Sequence, residues 1–133
     1  MIVVDASVLV TALADDGTDG DRFRASLRAA PDWNAPHLID PEVISALRRR
    51  VLADGLDQRR AGQALGDLSA LPITRYPHLP LAARSWELRE NLTTYDALYV
   101  ALAELLHCAL VTADARLAGA PGPRCEIALL EPS

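Results

Sequence analysis

The sequence contains no lysine: all 13 of its basic residues are arginines. Every fixed positive charge is therefore a guanidinium, a group suited to bidentate contacts with phosphate or carboxylate, although a general bias toward Ala, Leu and Arg accounts for the usage as well. Acids outnumber bases and give a net charge of -5, with an isoelectric point near 5.0. That balance excludes a protein that grips nucleic acid through a broad basic surface. Cysteine is scarce too. Cys108 and Cys125 are too few for a disulfide framework and lack metal-site spacing, so two buried reduced thiols are expected. No apolar run approaches the ~18 residues of a membrane span. The first residues lack the basic stretch of a secretion signal, which points to the cytoplasm.

What is present amounts to one domain. A chain of 133 residues, half of them hydrophobic, falls within the size of a single unit with a real core. Residues 1–133 are expected to form that unit. Ile2, Val3 and Val4 are a β-branched run that reads as a buried strand, and Asp5 follows at once with Ala6 and Ser7. In open parallel α/β sheets the crevice beyond the strand ends is where ligands bind. Asp5 fits such a site, and it equally fits the cap of the helix that begins near Ser7.

Along the chain, Val8, Leu9, Ala12 and Leu13 have helical spacing and end in Asp15, Asp16 and Gly17, read as a solvated loop. Residues 21–29 give a short helix with Phe23 and Leu27 inward, and residues 33–36 a brief strand. Asp40, Pro41 and Glu42 open another helix, with Asp40 at the N-cap and Pro41 at the first position. It runs through the basic triplet Arg48, Arg49 and Arg50 toward Gly55. Asp57 caps a further helix carried by Ala61, Ala64, Leu65 and Leu68. Residues 72–76 alternate as a strand, residues 81–90 are helical, and His37, His78 and His107 are read as surface turn residues.

From Thr93 and Asp96, with capping-box-like spacing, Tyr95, Leu98, Tyr99, Leu102, Leu105 and Leu106 trace an apolar stripe. The other face is filled by Ala97, Val100, Ala101 and Ala103, so this helix is central and nearly buried. Asp96 is one of its few charges, and a lone buried carboxylate is costly unless capped, paired or bound to a metal. Residues 108–112 form a second buried strand, and Ala113 and Asp114 repeat the grammar of the first. Residues 127–130 supply a last strand at the sheet edge.

Four acids thus stand at strand ends or in first helical turns: Asp5, Glu42, Asp96 and Asp114. In a doubly wound fold those places share one rim of the sheet. Clustered carboxylates repel unless a divalent cation neutralises them, and oxygen-only donors select hard cations, Mg²⁺ or Mn²⁺. Such a cluster suits two-metal phosphodiester hydrolysis, in which metals ~3.5–4 Å apart activate a water and stabilise the leaving oxygen. A phosphoaspartyl enzyme or receiver domain also places an Asp after its first strand, but it needs a lysine, and there is none. Ser7 lacks a nearby histidine base and is left a supporting role.

The runs Val3-Val4-Asp5-Ala6-Ser7, Pro41-Glu42-Val43, Tyr95-Asp96-Ala97-Leu98-Tyr99-Val100-Ala101 and Val111-Thr112-Ala113-Asp114, in this order, resemble the PIN-domain ribonucleases, specifically the VapC toxins of VapBC toxin-antitoxin modules. The resemblance implies an α/β fold of three layers with a central, mostly parallel sheet. It implies Mg²⁺-dependent endonucleolytic cleavage of RNA, with Asp5, Glu42, Asp96 and Asp114 as metal-binding and catalytic residues and Ser7 and Thr112 as polar supports. It also implies a homodimer held in check by a VapB-type antitoxin. Arg48, Arg49 and Arg116 are expected to meet the RNA backbone. The alternative is a catalytically silent PIN domain that serves as a binding or scaffold module.

Overall fold

The structure, a computed structural model, describes residues 1–133. Its centre is a strand of three residues, β1 (Ile2–Val4), in which Val3 and Val4 are fully buried. Strands β2 (Trp33–Pro36), β3 (Ile73–Tyr76), β4 (Ala109–Thr112) and β5 (Ile127–Leu129) complete a five-stranded sheet in the order β3-β2-β1-β4-β5. Every pairing in it is parallel, so the mostly parallel sheet expected from the resemblance is parallel throughout. Parallel neighbours need crossovers, and helices supply them.

These are α1 (Ala6–Ala14), α2 (Thr18–Arg28), α3 (Ile39–Leu52), α4 (Gln58–Ala70), α5 (Ala82–Glu87), α6 (Thr94–Leu106) and α7 (Ala115–Ala118). Helix α1 packs on β4 and gathers α2, α3 and α4 around it, whereas α6 lies across β1, β2 and β4 with α5 beside it. The two groups cover the sheet as outer layers. Both central helices read as apolar nearly all round, and both are buried that way: eight of the nine residues of α1, and residues 97–103 of α6. Strand order reverses at β1, whose neighbours are β2 on one side and β4 on the other. In doubly wound sheets that reversal opens a crevice beyond the strand ends.

Several local expectations are corrected by partners distant in sequence. Helix α3 begins at Ile39, and its cap is Leu38 rather than Asp40. The Leu38 N–H donates to Nε2 of His78 at 2.9 Å, so His78 is a half-buried brace of α3 and not a free turn residue. Pro41 is tolerated because no N–H in a first turn has an intrahelical partner. Asp40 instead takes a bidentate contact from Arg75, at 2.7 and 2.8 Å. Asp15 and Asp16 are likewise structured: Asp16 holds Arg60 at 2.9 and 3.0 Å, and the Asp15 carbonyl accepts from Arg24 at 2.8 Å.

Helix α2 starts three residues early, at Thr18, and the stretch expected as one helix over residues 81–90 is a 3₁₀ turn, Leu79–Leu81, followed by the short α5. Leu65, Tyr95 and Leu105 have core spacing but are exposed. His37 and His107 do lie on the surface, His107 in a left-handed conformation that ends α6. Cys108 and Cys125 are free thiols and only half buried.

Candidate active site

Asp5 is the most buried of the four acids, 6% exposed, and although it stands at the N-cap of α1 its side chain makes no capping bond. Its Oδ2 accepts two hydroxyls instead, from Ser7 Oγ at 2.7 Å and from Thr112 Oγ1 at 2.8 Å. Each hydroxyl has a second bond. Ser7 Oγ accepts from the Ala113 N–H at 3.0 Å, and Thr112 Oγ1 from the Asp114 N–H at 3.1 Å. One oxygen of Asp5 is thereby tied through two side chains to the turn that follows β4. The first strand and the fourth are joined at their carboxyl ends, on the side where the strand order reverses.

Asp114 caps α7 with its Oδ1, which accepts from the Arg116 N–H at 2.9 Å. Asp96 stands in the first turn of α6, where its N–H donates to the Thr93 Oγ1 cap at 3.3 Å. Glu42 stands in the first turn of α3, half buried. Capping thus accounts fully for Asp114 alone. Burial pushes the Asp5, Glu42 and Asp96 carboxyls above the ordinary carboxylate range. The charges of neighbouring acids add to it: Asp114 acts on Asp5, Asp5 and Asp114 on Asp96, and Asp5 and Asp96 on Glu42. The fold therefore gathers all four residues along one rim, where neighbouring charges oppose the ionisation of Asp5, Glu42 and Asp96.

Tyr99 is a member of this site that periodicity conceals. It is fully buried, it sits in the apolar stripe of α6, and its hydroxyl has no hydrogen-bond partner. Glu42 Oε1 is buried and unpartnered as well. The two groups lie near enough for the Glu42 charge to raise the Tyr99 hydroxyl further above the range that burial has already set. In sequence, the only signal for Tyr99 is a polar atom at the centre of an otherwise apolar stripe.

The donor set suits a hard cation: all-oxygen, anionic, with one buried carboxylate oxygen unused. No three of these side chains, however, stand close enough to enclose a single ion. Two shallow clefts flank the rim. One, of about 190 Å³, includes Asp96, Asp114 and Arg116. The other, of about 310 Å³, includes Glu42, Ser45, Arg49 and Tyr95. Arg49 and Arg116 thus border the acids, whereas Arg48 is exposed and lines neither cleft. The largest cavity, about 530 Å³ between α1, α2 and α4, contains none of the four acids.

Comparison with known proteins bears on the chain as a whole. Residues 2–123 match the model of the PIN domain. The chain is 50% identical over 129 residues to Ribonuclease VapC1 of Mycobacterium tuberculosis, covering 96% of each chain. Among solved structures, it resembles M. tuberculosis VapC20, a toxin that cleaves the sarcin-ricin loop, with a TM-score of 0.69, 15% identity and 88% and 92% of the two chains covered. A toxin-antitoxin complex from Klebsiella pneumoniae gives 0.60, with 21% identity and 91% and 93% covered.

Proposed function

The chain belongs to the PIN-domain family, among the VapC ribonucleases, and from that premise we propose that it is an endoribonuclease, the toxin of a type II toxin-antitoxin module. The observation that carries the reading is the joining of Asp5 to the turn before Asp114 through Ser7 and Thr112. It fixes two carboxylates at the crevice of the sheet.

Asp5, Asp96 and Asp114 are the proposed ligands of Mg²⁺, with Mn²⁺ as a substitute, and Glu42 completes or orients the set. When bound, the cation supplies positive charge for the attacking and leaving oxygens of phosphodiester hydrolysis. The protein's own part is positional. The Ser7 and Thr112 hydroxyls hold Asp5 by one oxygen, and no side chain bonds the other. Arg49 and Arg116, which border the acids, offer guanidinium groups to the RNA phosphates, and Arg48 can serve only at longer range from the outer face of α3.

An acidic chain with an anionic rim suits a basic inhibitory segment, and a VapB-type antitoxin is the proposed partner. A second copy of the chain is proposed as well. Leu79, Trp86 and Tyr95 are 87%, 68% and 57% exposed and line one groove, more apolar surface than an isolated copy favours. No helix is long and apolar enough to cross a membrane.

The test is incubation of the protein, freed of any partner, with total cellular RNA in Mg²⁺, in Mn²⁺ and in EDTA, alongside Asp5→Asn. Discrete fragments that require metal and vanish in the variant are expected. One observation favours the silent-module reading, the failure of any three acids to converge on one point. Absence of cleavage by folded protein under all conditions would point to that silent module or to a substrate absent from the RNA pool.

A further inference from the structure

Cys108 and Cys125 are 17 positions apart in sequence, and so are the register partners of β4 and β5: Leu110 faces Ile127, Val111 faces Ala128 and Thr112 faces Leu129. Extended two steps back, past the ends of β4 and β5, the same register sets Cys108 opposite Cys125, which stands at a bend ahead of β5. The ladder is still intact just short of them, where the Leu110 N–H donates to the Glu126 carbonyl at 2.9 Å. Register partners on neighbouring strands stand ~4.7–4.9 Å apart and project to the same face of the sheet. Disulfides span Cα separations of ~4.4–6.8 Å, a reach that the extended register satisfies. Both residues pack against the same hydrophobic core, and the charge of one is felt by the other.

Both cysteines are also held in place from α6. The Cys108 N–H donates to the Ala103 carbonyl at 3.1 Å, across the left-handed turn at His107. The segment ahead of Cys125 is tied to Glu104, which accepts the Arg124 N–H at 2.8 Å and the Arg84 guanidinium at 2.6 Å. Arg84 in turn donates to the Gly122 carbonyl at 3.0 Å. One helix therefore fixes the position of both thiols.

We propose that Cys108 and Cys125 form a reversible intrachain disulfide when the protein meets a peroxide or a low-molecular-weight disulfide. With hydrogen peroxide the balance is two thiols and one peroxide to one disulfide and two waters. Burial raises the Cys108 thiol, and the N-terminal ammonium only partly offsets it; the fraction present as thiolate attacks a peroxide oxygen and becomes a sulfenic acid, the expelled hydroxide and the thiol's proton making the first water. The Cys125 sulfur then displaces hydroxide from that sulfenic sulfur, and its own proton completes the second water. Cys125, whose neighbour Glu104 opposes a thiolate, is the resolving partner. The new bond encloses β4, Asp114 and α7 in one loop. It staples the crossover that carries one of the four acids, whatever the activity of the site.

The experiment uses the full chain. Native protein is treated with hydrogen peroxide or oxidised glutathione, the remaining thiols are alkylated, and intact mass and non-reduced peptide maps are read. The expected result is a monomer lighter by two hydrogens, with Cys108 and Cys125 in one linked peptide pair. Dithiothreitol should reverse it, and the melting temperature should rise by roughly 5–10 °C. Cys108→Ser and Cys125→Ser should each abolish the linked species, the wild-type map standing alone if either variant folds poorly. Alkylation of both thiols at unchanged rate, oxidation to separate sulfinic acids, or linkage only between two copies would overturn the proposal.

Discussion

Replacing Asp5 by Asn separates the cost of the site from its use. Asp5 is 6% exposed, and its ionised form is held by two hydroxyl bonds at 2.7 and 2.8 Å. Bonds to a charged acceptor contribute roughly 1.5–3 kcal/mol each, against ~0.5–1.5 for a neutral one, so the amide forfeits about 2 kcal/mol across the pair. Against this stands the burial of the charge, a penalty of several kcal/mol. The Asp5 carboxyl is raised above its ordinary range by burial, despite the two hydroxyls, which means that the penalty outweighs them. Asp5→Asn should therefore stabilise the protein at pH 7 in EDTA by about 1 kcal/mol, a melting-temperature gain of ~3 °C. Mg²⁺ should reverse the order. It should raise the melting temperature of the wild type by mass action and leave the variant nearly unmoved, while RNA cleavage falls at least ~100-fold. The assay is thermal denaturation with and without Mg²⁺, paired with cleavage of total RNA. A variant destabilised by more than ~2 kcal/mol in EDTA, or one that gains as much from Mg²⁺ as the wild type, would refute the reasoning.

Three further outcomes follow from the same geometry. Asp5, Glu42 and Asp96 all have raised carboxyls, so the folded protein holds protons that the unfolded chain releases from about pH 4 upward. Metal-free stability, followed by urea denaturation, should thus decline as the pH rises above about 4, and a steady rise there would contradict the assignment. Thr112→Val keeps the shape but removes the donor to Asp5 and the acceptor for the Asp114 N–H. It should cost ~1–3 kcal/mol in denaturant and lower cleavage along with Mg²⁺ affinity. Arg49→Ala and Arg116→Ala should raise KM for RNA several-fold with little change in kcat, and flatten the salt dependence of binding; an unchanged salt slope would remove both from the interface.

The parts of the fold that could be read from sequence are those with a local cause. The apolar runs Ile2–Val4 and Ala109–Thr112 admit no reading but buried strands, and the acids behind them are one and two residues away. Asp96 is legible because Thr93 caps α6 as its spacing suggests, whereas Glu42 falls in a first turn although Asp40 is not the cap of α3. What local reading misses depends on distant partners. His78 braces α3 from 40 positions away, Arg75 claims Asp40 from 35, and Arg60 claims Asp16 from 44. Helical spacing assigned Tyr95 and Leu105 to the core, but periodicity gives a face and not what covers it, and both are exposed. For Tyr99 the reverse holds: its burial was foreseen, and its unpaired hydroxyl beside Glu42 was not.

The central position of β1 has a consequence for how the protein comes into being. The first strand to leave the ribosome is also the one that must lie between two others, and its partner β4 lies more than a hundred residues later. At ~5–20 residues per second, Asp5 is synthesised on the order of 5–20 s before Asp114 exists to join it. Throughout that interval the crevice has one wall, and Asp5 lacks the Thr112 hydroxyl that positions it. A nuclease wired in this order carries a delay in its topology. The rim of acids is assembled only when the chain is nearly complete.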